Sequence, residues 1–143
     1  MIHRLQLRAI IHSTENPEKV TKALRAVLPP DVEVAEEGVE GYHGNVMRLL
    51  TAAIDNKRAA TGALKAVLCR LGIQERGRIL DELPERVDEE CTLHLRLDKQ
   101  HAYAGEVRLA QGEDCIYLRA KAECYPARRD AAVGAIRGLL GGT

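Results

Sequence analysis

Leu93, Leu95 and Leu97 alternate with His94, Arg96 and Asp98, the period of a strand with one buried and one exposed face. The chain opens with the same period. Leu5, Leu7, Ala9 and Ile11 fall on one side, and Arg4, Gln6, Arg8 and His12 on the other. Strands of this kind need an apolar layer over one face only, so the chain must also supply helices with one apolar stripe.

It does so three times. Asn16 and Pro17 open a first helix, Asn16 capping free N–H groups and Pro17 fitting a first turn that needs no N–H. Its stripe is Val20, Ala23, Leu24, Val27 and Leu28, and Pro29-Pro30 ends it. Asn56 is placed to cap a second helix, with Ala60, Ala63, Leu64, Val67, Leu68 and Leu71 as its stripe and Gly72 as its stop. A last helix, about 127–140, carries Ala132, Ala135, Ile136, Leu139 and Leu140. Between these, Val32 and Val34 begin a second strand, 38–44 is a loop, and 46–54 is a strand apolar enough to be internal. A shorter helix follows at about 75–83, then strands at 92–98, about 105–110 and 115–124, with a turn at Gln111-Gly112-Glu113-Asp114. The order β-α-β-β-α-α-β-β-β-α predicts an α+β fold. Its single mixed or antiparallel sheet carries amphipathic helices on one face, in one domain over 1–143.

The bulk properties exclude several classes. With 45% hydrophobic and 29% charged residues the chain is a globular protein rather than a disordered one. It has four Tyr, no Phe and no Trp, so the core must be aliphatic. No apolar run approaches the roughly 20 residues that span a bilayer, and the N-terminus lacks a signal-peptide stretch, so a cytoplasmic location is expected. Cys69, Cys91, Cys115 and Cys124 form no metal-ligand spacing and are expected as buried free thiols. Neither a metal nor a cofactor is expected. Net charge is zero, from 21 basic and 21 acidic residues, which argues against a broad electrostatic grip on nucleic acid. The acids are concentrated in 29–41 and 84–91, however, which leaves the rest of the chain basic.

The candidate site is the sheet face that the helices do not cover. Alternation puts Arg4, Arg8, His94, Arg96, Tyr117, Arg119 and Lys121 there, a platform for phosphates and a stacked base. A solvated open face and a dimer interface are the alternatives at this point. In the glycine-flanked loop Tyr42, His43 and Asn45 offer shape or base contacts, unless the glycines serve geometry alone. Lys99 and Gln100 offer a phosphate and a base or ribose contact, while Asp98 can cap the turn that begins at Lys99. Arg128 and Arg129 stand near a helix N-terminus, where the macrodipole disfavours cations, which points to a phosphate partner or an intramolecular carboxylate. No nucleophile elbow, phosphate loop or zinc-protease motif appears in a usable context. A small-molecule site around His43, Asp98 and Lys99 stays open, as does a protein-docking module.

Gly41-Tyr42-His43-Gly44-Asn45, the run Leu95-Arg96-Leu97-Asp98-Lys99-Gln100 with Ala102-Tyr103 and Gly105-Glu106, and Tyr125-Pro126-Ala127-Arg128 together resemble an archaeal RNA-binding-domain family described as predicted exosome subunits. The likeness covers nearly the whole chain. It implies an α+β fold similar to the ribosomal protein that binds 5S rRNA, often as a homodimer. It also implies RNA binding without catalytic residues, in RNA processing or ribosome-related work. The expected partners are therefore RNA, with exosome or ribosomal components, and no membrane.

Overall fold

A computed structural model describes residues 2–40, 46–112, 114–122 and 129–141. Five strands form one antiparallel sheet in the order β2-β3-β1-β5-β4. They are β1 (Ile2–Ile11), β2 (Ala35–Glu40), β3 (Val46–Ile54), β4 (Thr92–Asp98) and β5 (Cys115–Ala122). The helices are α1 (Pro17–Ala26), α2 (Lys57–Arg70), α3 (Ile73–Asp81), α4 (Leu83–Arg86), α5 (Lys99–Tyr103) and α6 (Arg129–Gly141). The fold is α+β, as the sequence predicts.

The alternation of β1 explains its central place. Leu5, Leu7 and Ala9 are buried and oppose Ile54, Ala52 and Leu50 on β3, and Ala120, Leu118 and Ile116 on β5. Leu93, Leu95 and Leu97 of β4 continue the same apolar rows. The stripes of α1, α2 and α6 close over them, with Leu24, Leu64, Leu68 and Ile136 fully buried. Both predicted asparagine caps are made: Asn16 accepts from the N–H of Glu18, and Asn56 from that of Ala59.

Several expectations shift. Gly38 lies inside β2 rather than in a loop, and Val32 and Val34 precede that strand, packing partly against the core. The short helix is two helices, α3 and α4, because Pro84 fits the first turn of a new helix better than the end of an old one. No full strand forms at 105–110. After α5 the chain turns at Gly105, whose φ of +87° suits glycine, and touches β4 at one bridge, Leu109 with Leu97. The observed order is therefore β-α-β-β-α-α-α-β-α-β-α. Cys91 and Cys115 are buried, but Cys69 lies on the exposed side of α2; Cys124 falls outside the described residues. Among the described residues no helix is long and apolar enough to cross a membrane.

Candidate nucleic-acid interface

Strand register assembles the uncovered face. Arg8 stands beside Tyr117, and Tyr117 beside Arg96; in the next row Gln6 meets Arg119, and Arg119 meets His94; then Arg4 meets Lys121. Five cations from three neighbouring strands thus share one surface, with Thr51 and Ala53 of β3 continuing it. An open groove of about 570 Å³ runs over this surface, lined by Arg4, Gln6, Arg8, Thr51, Tyr117 and Arg119 among others.

The cations differ in how they are held. Arg4 Nε lies 2.8 Å from Asp55, an exposed pair that competing anions can open at little cost. The Arg8 guanidinium lies 4.9 Å from the centre of the Tyr117 ring. Arg119 Nε is buried and has no hydrogen-bond acceptor among the described residues. Such an orphan donor is costly unless something supplies an acceptor. Among the described residues, Arg8, Arg96, Arg119 and Lys121 have no carboxylate within ion-pair distance.

A side-chain chain fixes the middle of the face. His94 Nε2 donates to Asp88 at 2.7 Å, and Asp88 also accepts from the N–H groups of Glu90 and Thr92. Burial works to raise the Asp88 pKa. The hydrogen bonds from His94, Thr92 and Glu90 outweigh it and hold the carboxyl below the ordinary range. With Asp88 ionised, Nε2 carries the proton of that hydrogen bond, and Nδ1 lies against the Tyr117 hydroxyl. Asp88 carried no signal in sequence beyond its membership of an acidic cluster. The alternation of β4 and β5 did place His94 and Tyr117 on this face.

Other expected contacts lie elsewhere. Lys99 is not on the face at all: its side chain is only 4% exposed. The ammonium donates to both oxygens of Glu15 at 3.1 Å and to the Ile10 carbonyl at 3.0 Å, and it lies 2.5 Å from Asp114. The reason is α5, which turns the chain away from the sheet edge immediately after Asp98 and packs on α1. Gln100 is exposed on α5 in a shallow cleft with Lys19 and Tyr103, away from the basic rows. Asp98 does cap α5, accepting from the N–H of Gln100, and its other oxygen meets His101 at 2.5 Å. Tyr42, His43, Asn45 and Arg128 lie outside the described residues.

The described members of the proposed small-molecule site do not converge, since Lys99 faces Glu15 while Asp98 faces His101. His12, Glu15 and Asp114 bring ligand atoms within 4.8 Å of one another. The Lys99 ammonium already supplies the positive charge at that point. Burial works to raise the Asp114 pKa, but Lys99 and then His12 hold it below the ordinary range.

The sheet thus has one helix-covered face and one basic face with an aromatic at its centre, the charge and stacking surface that an RNA-binding sheet uses. A family model described as RNA binding matches residues 4–122, and the chain belongs to that family. It is 37% identical over 145 residues to the RNA-binding protein PAB1135 of Pyrococcus abyssi, a match covering 98% of this chain and 94% of that protein. Among solved structures it resembles protein AF2318 from Archaeglobus fulgidus, with 35% identity, a TM-score of 0.88, and 97% and 99% of the two chains covered. Mth689, a DUF54 protein from Methanothermobacter thermautotrophicus, is 40% identical with a TM-score of 0.83 and 98% of each chain covered.

Proposed function

We infer that this protein is a non-catalytic RNA-binding protein whose outer sheet face carries the RNA. The observation that supports this best is the set of four cations, Arg8, Arg96, Arg119 and Lys121, gathered by register without carboxylate partners among the described residues. Like charges at this density repel one another, so the face is fitted to a polyanion. A second copy docking face to face would oppose guanidinium to guanidinium, which disfavours the homodimer reading for this surface. Family membership and the name of the Pyrococcus abyssi relative support the same reading.

Arg4, Arg8, Arg96, Arg119 and Lys121 contact phosphates in this reading. A base stacks on the Arg8 guanidinium, which already covers one side of the Tyr117 ring. Gln6 and Thr51 supply neutral polar contacts along the groove. Tyr42, His43, Asn45 and Arg128 extend the contact set on the strength of the sequence alone, and Gln100 reaches RNA only if the strand passes beyond the sheet edge. The protein acts as one domain in RNA processing, with the exosome or with ribosomal components; that part follows from the family resemblance.

The test is binding to one single-stranded and one structured RNA across a salt series. Affinity should fall as salt rises, with a logarithmic slope of about 0.7 per phosphate engaged on a single strand. Absence of binding at low salt would refute the reading, and capture of RNA-processing proteins that survives nuclease would favour the docking module instead.

A further inference from the structure

β4 ends the sheet, and two stretches from elsewhere meet its outer edge. Val87 bridges to Leu93 and Leu109 to Leu97. Near these bridges lies a concavity of about 490 Å³ lined by Arg78, Arg86, His94, Arg96, Tyr117 and the turn at 109–112. Its three guanidiniums come from α3, α4 and β4. Glu82 serves two of them: Arg78 Nε lies at 3.0 Å from one of its oxygens and Arg86 Nη2 at 2.8 Å from the other. The hydrogen bond from Arg78 and the charge of Arg86 hold the Glu82 carboxyl below its ordinary range. One carboxylate between two guanidiniums leaves a positive charge over, and Arg96 adds a second, part of which the ionised Asp88 behind His94 offsets. The Arg86 side chain is only 17% exposed, so solvent screens it less than it would a surface arginine. Asp88 is engaged with His94 and the backbone N–H groups of Glu90 and Thr92.

We propose that this pocket holds the terminal phosphate of an RNA strand that lies across the basic sheet face. The proposal rests on the RNA reading above and specifies which part of the RNA the pocket takes. Tyr117 lines both the groove and the pocket, so the two meet at that ring. A strand running along the groove reaches the pocket at the end of the sheet. There Val87, at the end of α4, and Leu109 close on the outer edge of the last strand, with Arg78, Arg86 and the 109–112 turn lining the pocket. An internal phosphodiester would have to continue past them; a chain end need not.

The number of donors points the same way. A terminal phosphomonoester carries between one and two negative charges near neutrality and offers three acceptor oxygens, whereas an internal diester carries one charge. The guanidinium N–H groups that Glu82 leaves free, on separate elements, can meet several oxygens of one phosphate, which is the geometry a monoester rewards. The chain from Asp88 through His94 to the Tyr117 hydroxyl fixes the aromatic at the junction, where it borders the last nucleotide.

The experiment titrates the full chain with three oligoribonucleotides of one sequence: 5′-phosphorylated, 3′-phosphorylated, and hydroxyl at both ends. One phosphorylated form should bind at least about tenfold tighter than the hydroxyl form, the increment of one further charge-assisted hydrogen bond. The preferred end also gives the polarity of the strand. Arg78→Gln should bring the ratio of phosphorylated to hydroxyl affinity close to one, and a ratio unchanged in that variant overturns the proposal. Arg78 is half exposed, so this substitution leaves the core untouched. Equal binding of all three oligonucleotides also overturns it while the RNA reading stands. Failure of all three to bind overturns the RNA reading and this proposal with it.

Discussion

The Lys99 ammonium lies 3.1 Å from both carboxylate oxygens of Glu15, a residue 84 positions earlier in the chain. With the Ile10 carbonyl and Asp114 as further partners, it ties α5 to the end of β1 and to the start of β5. The charge is buried and paired, so removing it should be felt as lost stability rather than lost binding.

Lys99→Ala should therefore lower the unfolding free energy by about 3 kcal/mol, because it leaves two carboxylates without their shared cation. Urea denaturation gives the change in midpoint. RNA affinity measured on the folded variant should move less than about twofold. A variant with unchanged midpoint and weakened binding would put Lys99 back among the phosphate contacts.

Arg8 is predicted to contribute through two routes, one charge for a phosphate and one flat cation for a base. Arg8→Ala should weaken RNA binding by roughly tenfold and reduce the logarithmic salt slope by about 0.7. Arg8→Lys should keep the slope and recover only part of the affinity, because an ammonium stacks poorly. Fluorescence anisotropy across a salt series separates the two. Full recovery by lysine would show that the flat guanidinium is not used.

Acid should destabilise the fold through Asp88 and Asp114. Both carboxyls are held below their ordinary range in the folded chain, Asp88 by His94 and backbone N–H groups and Asp114 by Lys99 and His12, each against burial. A depressed carboxyl adds stability that is fully present above the unfolded value of about 3.9 and disappears as pH drops through the folded value. Asp88→Asn should thus lower stability at pH 7 and flatten the loss below about pH 4. Urea midpoints from pH 7 to pH 2 provide the comparison; curves that stay parallel throughout would remove Asp88 as a source.

Thiol chemistry gives a test of the packing. Cys69 is exposed on α2, while Cys91 and Cys115 are 4% and 8% exposed. In the native protein a thiol reagent should modify Cys69 within minutes and leave Cys91 and Cys115 protected until urea is added. Peptide mapping identifies the sites, and rapid native labelling of Cys91 would show that the β4 end of the core opens readily.

The period-two rows of β1, β4 and β5 made the basic face legible, since alternation decides which side each Arg and Lys takes. The asparagine caps of α1 and α2 were legible for the same local reason, as each bond reaches only two or three residues ahead. Lys99 was not. Nothing in Asp98-Lys99-Gln100 reveals that Glu15 lies across the gap, and a lysine beside two polar neighbours reads as exposed. Arg78 and Arg86 were also hidden, because α3 and α4 reach the β4 edge only through the path of the intervening chain. The strand expected at 105–110 failed because alternation in Val107 and Leu109 cannot show how short the pairing with β4 is.

β1 lies between β3 and β5, although β5 begins more than a hundred residues later in the chain. During synthesis the opening strand can find β3 early, yet its other edge stays bare until residues 115–122 have been made. Arg4, Gln6 and Arg8 wait all that time for Lys121, Arg119 and Tyr117. The basic surface is therefore a late product of translation, stitched together from the two ends of the chain. A chain that stops before residue 115 keeps Arg4 and Arg8 on β1 but lacks the strand that joins them to Arg96.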